Sequence, residues 1–221
     1  MGDLTIIILT PNLVPKQWAE FHKQKLLEAT AGSPIVTVSS KPLDWGTNLI
    51  QTEYGYANIY KQMLRAAKIA TTPWIAMADD DTLYPKEHFA FRPSCDGYFY
   101  NLNRWHIFTW GPPFYFHKPR PGNGLLICTR ELMIGALESR LKASPDLTAG
   151  HMCHELGTAG QLFNHDKAKW QKFYTREPVL SFYHDYSADR ACRWHIKRAW
   201  PVTAYDIPVW GRAEDMRKEF K

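Results

Sequence analysis

The sequence has few cysteines, and they stand far apart. Cys95, Cys128, Cys153 and Cys192 form no C-x-x-C pair. No C-x-x-C zinc or redox motif is present, and with no secretory signal apparent, free thiols in a reducing cytoplasm are expected. Long apolar runs are also missing. No stretch approaches the roughly 18 residues of a membrane-spanning helix. The one early apolar run, Leu4 to Leu9, is too short for a secretory h-region. Ile6 occupies the position where N-myristoylation needs Ser or Thr. A cytoplasmic protein is therefore expected. Internal repeats and low-complexity tracts are absent, which excludes solenoids and disordered tails.

What is present is a 221-residue chain, long enough for one large domain that buries its core without covalent staples. Aromatics reach 14%, including nine Trp, and fifteen Pro suggest long, stiff loops. The net charge of +5 is unevenly spread. Residues 167–221 hold twelve Lys and Arg against seven Asp and Glu, so the entire excess lies there. Within that quarter, Arg190, Arg193, Trp194, Lys197, Arg198 and Trp200 interleave bases with aromatics. Cations neutralise phosphates and aromatic faces stack on bases, so this segment is a candidate contact for an anionic polymer. The alternative is a solvated basic tail whose Trp rings pack back on the core.

Leu4–Leu9 is a continuous β-branched run closed by Thr10-Pro11-Asn12, the pattern of a buried, parallel central strand. Lys16–Ala29 reads as a helix with Trp18, Phe21, Leu26 and Leu27 on its inner face. Ile35–Val38 is a second strand, Tyr56–Ile69 a second helix, and Trp74–Ala78 a third strand ending in Asp79-Asp80-Asp81. Strands are expected across Gly97–Trp110, then a loop with four prolines over Gly111–Gly124 and a strand at Leu125–Cys128. A helix over Arg130–Lys142 and a last strand at Val179–Tyr183 follow, with a loop and a short helix between them. The opening alternation of strands and helices predicts an α/β fold with right-handed crossovers and a largely parallel sheet. Ligands in such sheets sit at the carboxyl ends of the strands, where both Thr10-Pro11-Asn12 and Asp79-Asp80-Asp81 fall.

Three successive carboxylates repel one another unless a cation intervenes. On extended backbone Asp79 and Asp81 point the same way and Asp80 the other, toward packing or a backbone cap. A divalent, oxygen-loving metal, Mg²⁺ or Mn²⁺, resolves the repulsion, since it takes one or two carboxylates, waters and substrate phosphates. The plain alternative is an acidic turn capping the next helix.

Thr10-Pro11-Asn12 after the first strand, together with Trp74-Ile75-Ala76-Met77-Ala78-Asp79-Asp80-Asp81, resembles the GT-A class of nucleotide-sugar-dependent glycosyltransferases, with Asp79-x-Asp81 similar to their DxD motif. The resemblance covers residues 4–90. It implies a GT-A-like, Rossmann-related mixed sheet, mainly parallel and flanked by helices. Residues 1–90 would form a nucleotide-binding half, residues 91–185 a sugar and acceptor half, and residues 186–221 a basic aromatic extension. It further implies that Thr10, Pro11 and Asn12 hold the nucleotide, with Asn58 and Lys61 lining the same pocket. Asp79 would approach the ribose or a metal-bound water, and Asp81 would hold Mn²⁺ or Mg²⁺ on the diphosphate.

The family's later acidic base corresponds to Glu155 in His154-Glu155-Leu156-Gly157, with Asp146 and Asp166 as alternatives. Its late metal-binding His corresponds to His184, although the residues around it depart from the family pattern. A zinc protease is excluded because Thr158 stands where H-E-x-x-H needs its second His. A zinc site from His151, Cys153 and His154 has no recognised spacing. The sugar and acceptor would meet Arg104, Trp105, His106, Trp110, Arg120 and Asn123, with Gly122 and Gly124 allowing close backbone approach.

The expected activity is transfer of a sugar from a nucleoside diphosphate sugar, a UDP-sugar first, to an acceptor hydroxyl with inversion. The basic aromatic segment suggests a large anionic acceptor, a hydroxymethylated pyrimidine in DNA as in some phages, flipped from the stack to reach the site. A metal-dependent nucleotidyltransferase is the main alternative, but its Gly-rich phosphate loop is missing from Thr10–Val14. A nucleic-acid-binding module without chemistry would leave Asp79–Asp81 without a role.

Overall fold

A computed structural model describes residues 2–53, 58–143, 155–158, 169–185, 187 and 202–220. It is α/β, with a mainly parallel central sheet flanked by helices, as the sequence predicts. Its first half contains β1 (Leu4–Thr10), α1 (Lys16–Thr30), β2 (Ile35–Ser39), β3 (Thr47–Ile50), α2 (Asn58–Ile69), β4 (Trp74–Asp79), β5 (Thr82–Leu83) and α3 (Lys86–Ala90). Its second half contains β6 (Tyr98–Asn101), β7 (Arg104–Phe108), β8 (Tyr115–His117), β9 (Leu126–Thr129), α4 (Arg130–Ala143), β10 (Trp170–Phe173) and β11 (Val179–Tyr183). The chain continues through β12 (Thr203–Ala204), β13 (Asp206–Ile207), β14 (Gly211–Arg212) and α5 (Ala213–Lys218).

The main sheet has the order β10-β6-β9-β4-β1-β2-β3, and β9 is its antiparallel member. β1 lies between β2 and β4 and is buried along almost its whole length, which explains its unbroken apolar run. α1 packs against α3 and β5, and α2 packs against α4. A second sheet, β12-β8-β7-β11-β5, begins directly after the acidic triplet. Its core joins Trp18, Leu83, Ile107, Tyr115, Leu180, Phe182 and Phe220. The chain end is part of this packing. β12 pairs with β8, and Phe220 lies 4.7 Å from Trp18 and 5.2 Å from Phe182, centroid to centroid. Trp210 donates to the Pro178 carbonyl at 2.9 Å.

The structure departs from the sequence reading in several places. β3, β5, β8, β10, β12 to β14 and the helices α3 and α5 are elements that periodicity does not show; all are short, and most are held by distant partners. On α1, Leu27 is 44% exposed, and His22 takes the inner position instead. The expected helix start at Tyr56 lies outside the described residues. Among the described residues no helix is long and apolar enough to cross a membrane.

His88 is fully buried between Tyr84, Phe89 and Phe173, with Nδ1 3.3 Å from the Asn101 amide. Burial pushes its pKa down to about 3, and that of His22 down to about 4. Both therefore fold as neutral rings. Above about pH 6.5 they cost nothing. Below it the unfolded chain takes up protons that the folded one refuses, and stability falls by roughly 1 kcal/mol per pH unit for each ring. Asp79 and Asp80, both raised to about 7, act in the opposite direction over the same window. The His88 contribution is thus best read as a difference. Urea midpoints between about pH 7 and pH 5 should fall less steeply for His88→Asn than for the wild type. Equal slopes would show that His88 does not stay neutral in the folded protein.

Candidate active site

The register of β1 against β4 pairs Leu9 with Asp79, so the two strands end side by side. Thr10 donates its hydroxyl to the Asp80 carboxylate. Two ring N–H groups from the inner face of α1 hold the acidic turn from below. Trp18 Nε1 donates to the Asp80 carbonyl at 2.8 Å, and His22 Nε2, the donor in a neutral ring, lies 3.0 Å from the Thr82 carbonyl. Neither residue is legible as a site residue in the sequence, where Trp18 reads only as a helix-face position and His22 does not stand out.

Asp79 sits under the short 3₁₀ turn Asn123–Leu125. Its N–H donates to the Tyr84 hydroxyl at 2.9 Å. A Cβ on Gly124 would come within 2.2 Å of Asp79 Oδ2 and 2.9 Å of the Tyr84 oxygen, so only glycine fits there. Burial, then the Asp81 charge, push the Asp79 carboxyl up to about 7 against the pull of Arg104. Asp80 is raised to about 7 by the same two causes, opposed by its bond from Thr10.

Asp81 turns toward β11. Its Oδ1 accepts the Thr82 hydroxyl at 3.0 Å, and its Oδ2 lies 3.4 Å from His184 Nε2. The Asp81 carbonyl accepts the Phe182 N–H at 2.8 Å. β11 therefore anchors the acidic turn and delivers His184 immediately past its own end. Phe220 packs on the His184 ring at 4.9 Å. No group of three or more His, Cys, Asp or Glu arranged for a metal ion occurs among the described residues. Asp81 and His184 form a pair, and Asp79 is not added to it as a third ligand. One carboxylate and one imidazole leave the other positions of a divalent cation such as Mn²⁺ or Mg²⁺ to water and substrate phosphate.

Glu155 is half-buried. The turn Glu155–Thr158 is closed by the Thr158 N–H and hydroxyl, both donating to the Glu155 carbonyl, at 3.1 and 2.8 Å. Leu156 anchors it in the core, and its carbonyl accepts the Tyr100 hydroxyl at 2.8 Å. Burial raises the Glu155 carboxyl above the usual carboxylate range, while Arg104, Arg140 and Lys118 pull it back. Its charge also raises Asp79, so the two carboxyls share one electrostatic environment. Asp146, Asp166, His151, Cys153 and His154 lie outside the described residues. So do the basic aromatic positions Arg190, Arg193, Trp194, Lys197 and Arg198.

At the ends of β1 and β2 a cavity of about 340 Å³ is lined by Thr10, Asn12, Lys41, Leu43, Trp45 and Asp80, among others. Asn12 adopts φ 56° and accepts the Lys41 N–H at 2.9 Å, tying the two strand-end loops together. Pro11 is exposed. Asn58 and Lys61 do not line this cavity. Asn58 accepts from Gln51 and donates to the Glu53 carbonyl at 2.5 Å, and Lys61 is exposed on α2. A larger cavity, about 770 Å³, lies at the opposite end of β4 beside Pro73, Asp96 and Arg130, away from the acidic turn.

The expected sugar and acceptor residues divide. His106 is a correction: it is fully buried in the second sheet, 4.8 Å from Tyr183 and 5.3 Å from Phe116, centroid to centroid, and so packs rather than binds. Its expected place in a donor-bearing loop is instead a position within β7, and burial drives its pKa well below the usual histidine range. Trp105 is half-buried against His117, with Nε1 3.3 Å from Asn103 Oδ1. Trp110 is half-buried against Phe108. Arg120 is exposed, and Asn123 opens the turn above Asp79. Arg104 is more central than a loop donor: its charge acts on Asp79, Tyr84 and Glu155 together.

The sequence matches no protein-family model, and no curated protein matches it. Similar solved structures include a glycosyltransferase involved in glycosylating the major capsid of PBCV-1, at 17% identity and TM-score 0.43, covering 98% of each chain. Drosophila β-1,4-galactosyltransferase 7, in a mutant complex with manganese, UDP-Gal and xylobiose, matches at 16% and 0.43 over 97% of this chain and 79% of that one. The bifunctional IspDF of Campylobacter jejuni matches at 10% and 0.46 over 80% of this chain, which spans half the length of that protein. Similarity at this level leaves the chemistry to the site's own residues.

Proposed function

We propose that this protein is a metal-dependent glycosyltransferase that moves a sugar from a nucleoside diphosphate sugar to an acceptor hydroxyl. The observation that carries this reading is the approach of Asp81 to His184, 3.4 Å apart at the carboxyl end of a central strand. Residues 1–90 form the nucleotide half and residues 91–185 the sugar and acceptor half. Thr10 and Asn12 border the cavity that suits the nucleotide, and Asp81 and His184 are the metal ligands. A bound Mn²⁺ or Mg²⁺ would offset the charge that builds on the leaving diphosphate. Glu155, with its raised carboxyl, takes the proton of the acceptor hydroxyl as its oxygen bonds to the anomeric carbon and the nucleoside diphosphate leaves, a single displacement that inverts the sugar. UDP-sugars, one of which the Drosophila protein binds, are the first donors to test, with Mn²⁺ as the first metal. Cytoplasmic residence fits the same reading.

For the acceptor, the alternation of bases and Trp in residues 186–221 supports a hydroxymethylated pyrimidine in DNA. Labelled sugar should pass to hydroxymethylcytosine-containing DNA and not to unmodified DNA. Transfer to a glycan alone would replace this acceptor. For the donor, Glu155→Gln should reduce turnover by about a hundredfold or more while donor binding, read by thermal unfolding, stays within about twofold. Unchanged turnover would remove Glu155 as the base.

A further inference from the structure

A chain of four hydrogen-bonding groups runs beneath the proposed metal pair. Arg104 Nε lies 3.1 Å from Ser181 Oγ, Ser181 Oγ lies 3.0 Å from Thr82 Oγ1, and Thr82 Oγ1 lies 3.0 Å from Asp81 Oδ1. Arg104 donates to Ser181, and the single Thr82 hydroxyl proton is shared between two acceptors, Ser181 Oγ and Asp81 Oδ1, so that the guanidinium, both hydroxyls and the carboxylate form one connected set. Both hydroxyls are buried, Thr82 at 1% and Ser181 at 3% exposure, where water does not substitute for the missing partner of a broken link. The members come from β7, β11 and β5, and the pairing of Ser181 with Thr82 is part of the β11–β5 register. One oxygen of Asp81 is thereby occupied by the chain, and the other is left toward His184.

We infer that Arg104, Ser181 and Thr82 are positioning residues that lock the Asp81 carboxylate in its metal-binding orientation. The inference rests on the proposed reading of Asp81 and His184 as metal ligands. Hydrogen bonds behind a ligating carboxylate fix its orientation and support its charge, and their loss typically lowers metal affinity about 10- to 100-fold. A chain charged at both ends is stronger than one of neutral groups, which suits it to holding a single rotamer.

The test is Mn²⁺ affinity of the metal-free protein, followed by the electron paramagnetic resonance signal of free Mn²⁺. The variants are Thr82→Val, which keeps shape, Ser181→Ala, and the hydroxyl-preserving Thr82→Ser and Ser181→Thr. Asp81→Ala serves as the ligand control, and urea midpoints are measured for each metal-free protein. Thr82→Val and Ser181→Ala should weaken Mn²⁺ binding about 10- to 100-fold. Thr82→Ser and Ser181→Thr should remain near wild type, and affinity should not follow the urea midpoints. Wild-type affinity in Thr82→Val would overturn the inference while leaving the ligand pair intact. So would affinity losses that simply follow stability across all four variants. Wild-type protein that binds no Mn²⁺, or Asp81→Ala that binds it as tightly as wild type, would instead remove the metal reading on which the inference depends.

Discussion

Replacing Asp81 with alanine is expected to abolish metal-dependent donor binding and to reduce turnover by about a thousandfold, or about 4 kcal/mol of transition-state stabilisation. The reason is geometric. Asp81 is the carboxylate paired with His184, and no third acidic or His side chain joins them among the described residues. In the wild type, a nucleoside diphosphate at about a hundred times its Kd with Mn²⁺ should raise the unfolding free energy by about 2.7 kcal/mol. In Asp81→Ala that gain should vanish. The metal-free variant should nevertheless be as stable as wild type or more so above neutral pH, because the Asp81 charge is one of the causes that raise Asp79 and Asp80. This pairing of outcomes separates a lost ligand from a lost fold. Metal-dependent stabilisation that persists in the variant would place the metal elsewhere.

The second large effect is expected from Gly124→Ala. The added methyl would meet Asp79 Oδ2 at 2.2 Å, its Cγ at 2.5 Å and Tyr84 Oη at 2.9 Å. These atoms cannot move cheaply, since Tyr84 is buried and holds the Asp79 N–H. A loss of about 2 kcal/mol in stability follows from overpacking, with at least a tenfold loss of turnover as the carboxylate is displaced. Gly122→Ala is the contrast. Its methyl would meet Arg104 Nη1 at 2.6 Å, the end of a flexible side chain, and should cost much less. Shortening the obstacle should rescue the first variant. Gly124→Ala in an Asp79→Ala background should be milder by at least about 1 kcal/mol, measured as a double-mutant cycle in urea. Wild-type stability and turnover in Gly124→Ala would show that Asp79 is not held under the turn.

The long elements were legible because their burial is uniform. β1 and β4 are covered on both faces, so their sequences are unbroken apolar runs, and α1, α2 and α4 carry the spacing of one buried face. The short strands were not. β5 has two residues, and its partner on β11 lies about a hundred positions away, so no local pattern marks it. The same distance hid the most consequential contacts. Asp81 and His184 each suggested a ligand, but only the β11 pairing brings them to 3.4 Å. Trp18 read only as a helix-face position and His22 was not singled out, so nothing local showed that they hold the acidic turn through ring nitrogens. His106 misled because it was read within a loop offering donors to a sugar, whereas it lies in β7, where it and its neighbour Ile107 are both fully buried.

The sequence alone determined the α/β class, the order of the long elements and the placement of Thr10-Pro11-Asn12 and Asp79–Asp81 at strand ends, since these follow from local periodicity and the charge of adjacent residues. The tertiary structure decided which of the acidic residues faces His184, which glycine admits Asp79 and which buried hydroxyls stand behind Asp81. Those outcomes depend on strand register, and a slip of one residue along β11 would turn Ser181 away from Thr82 and send its side chain to the other face of the sheet.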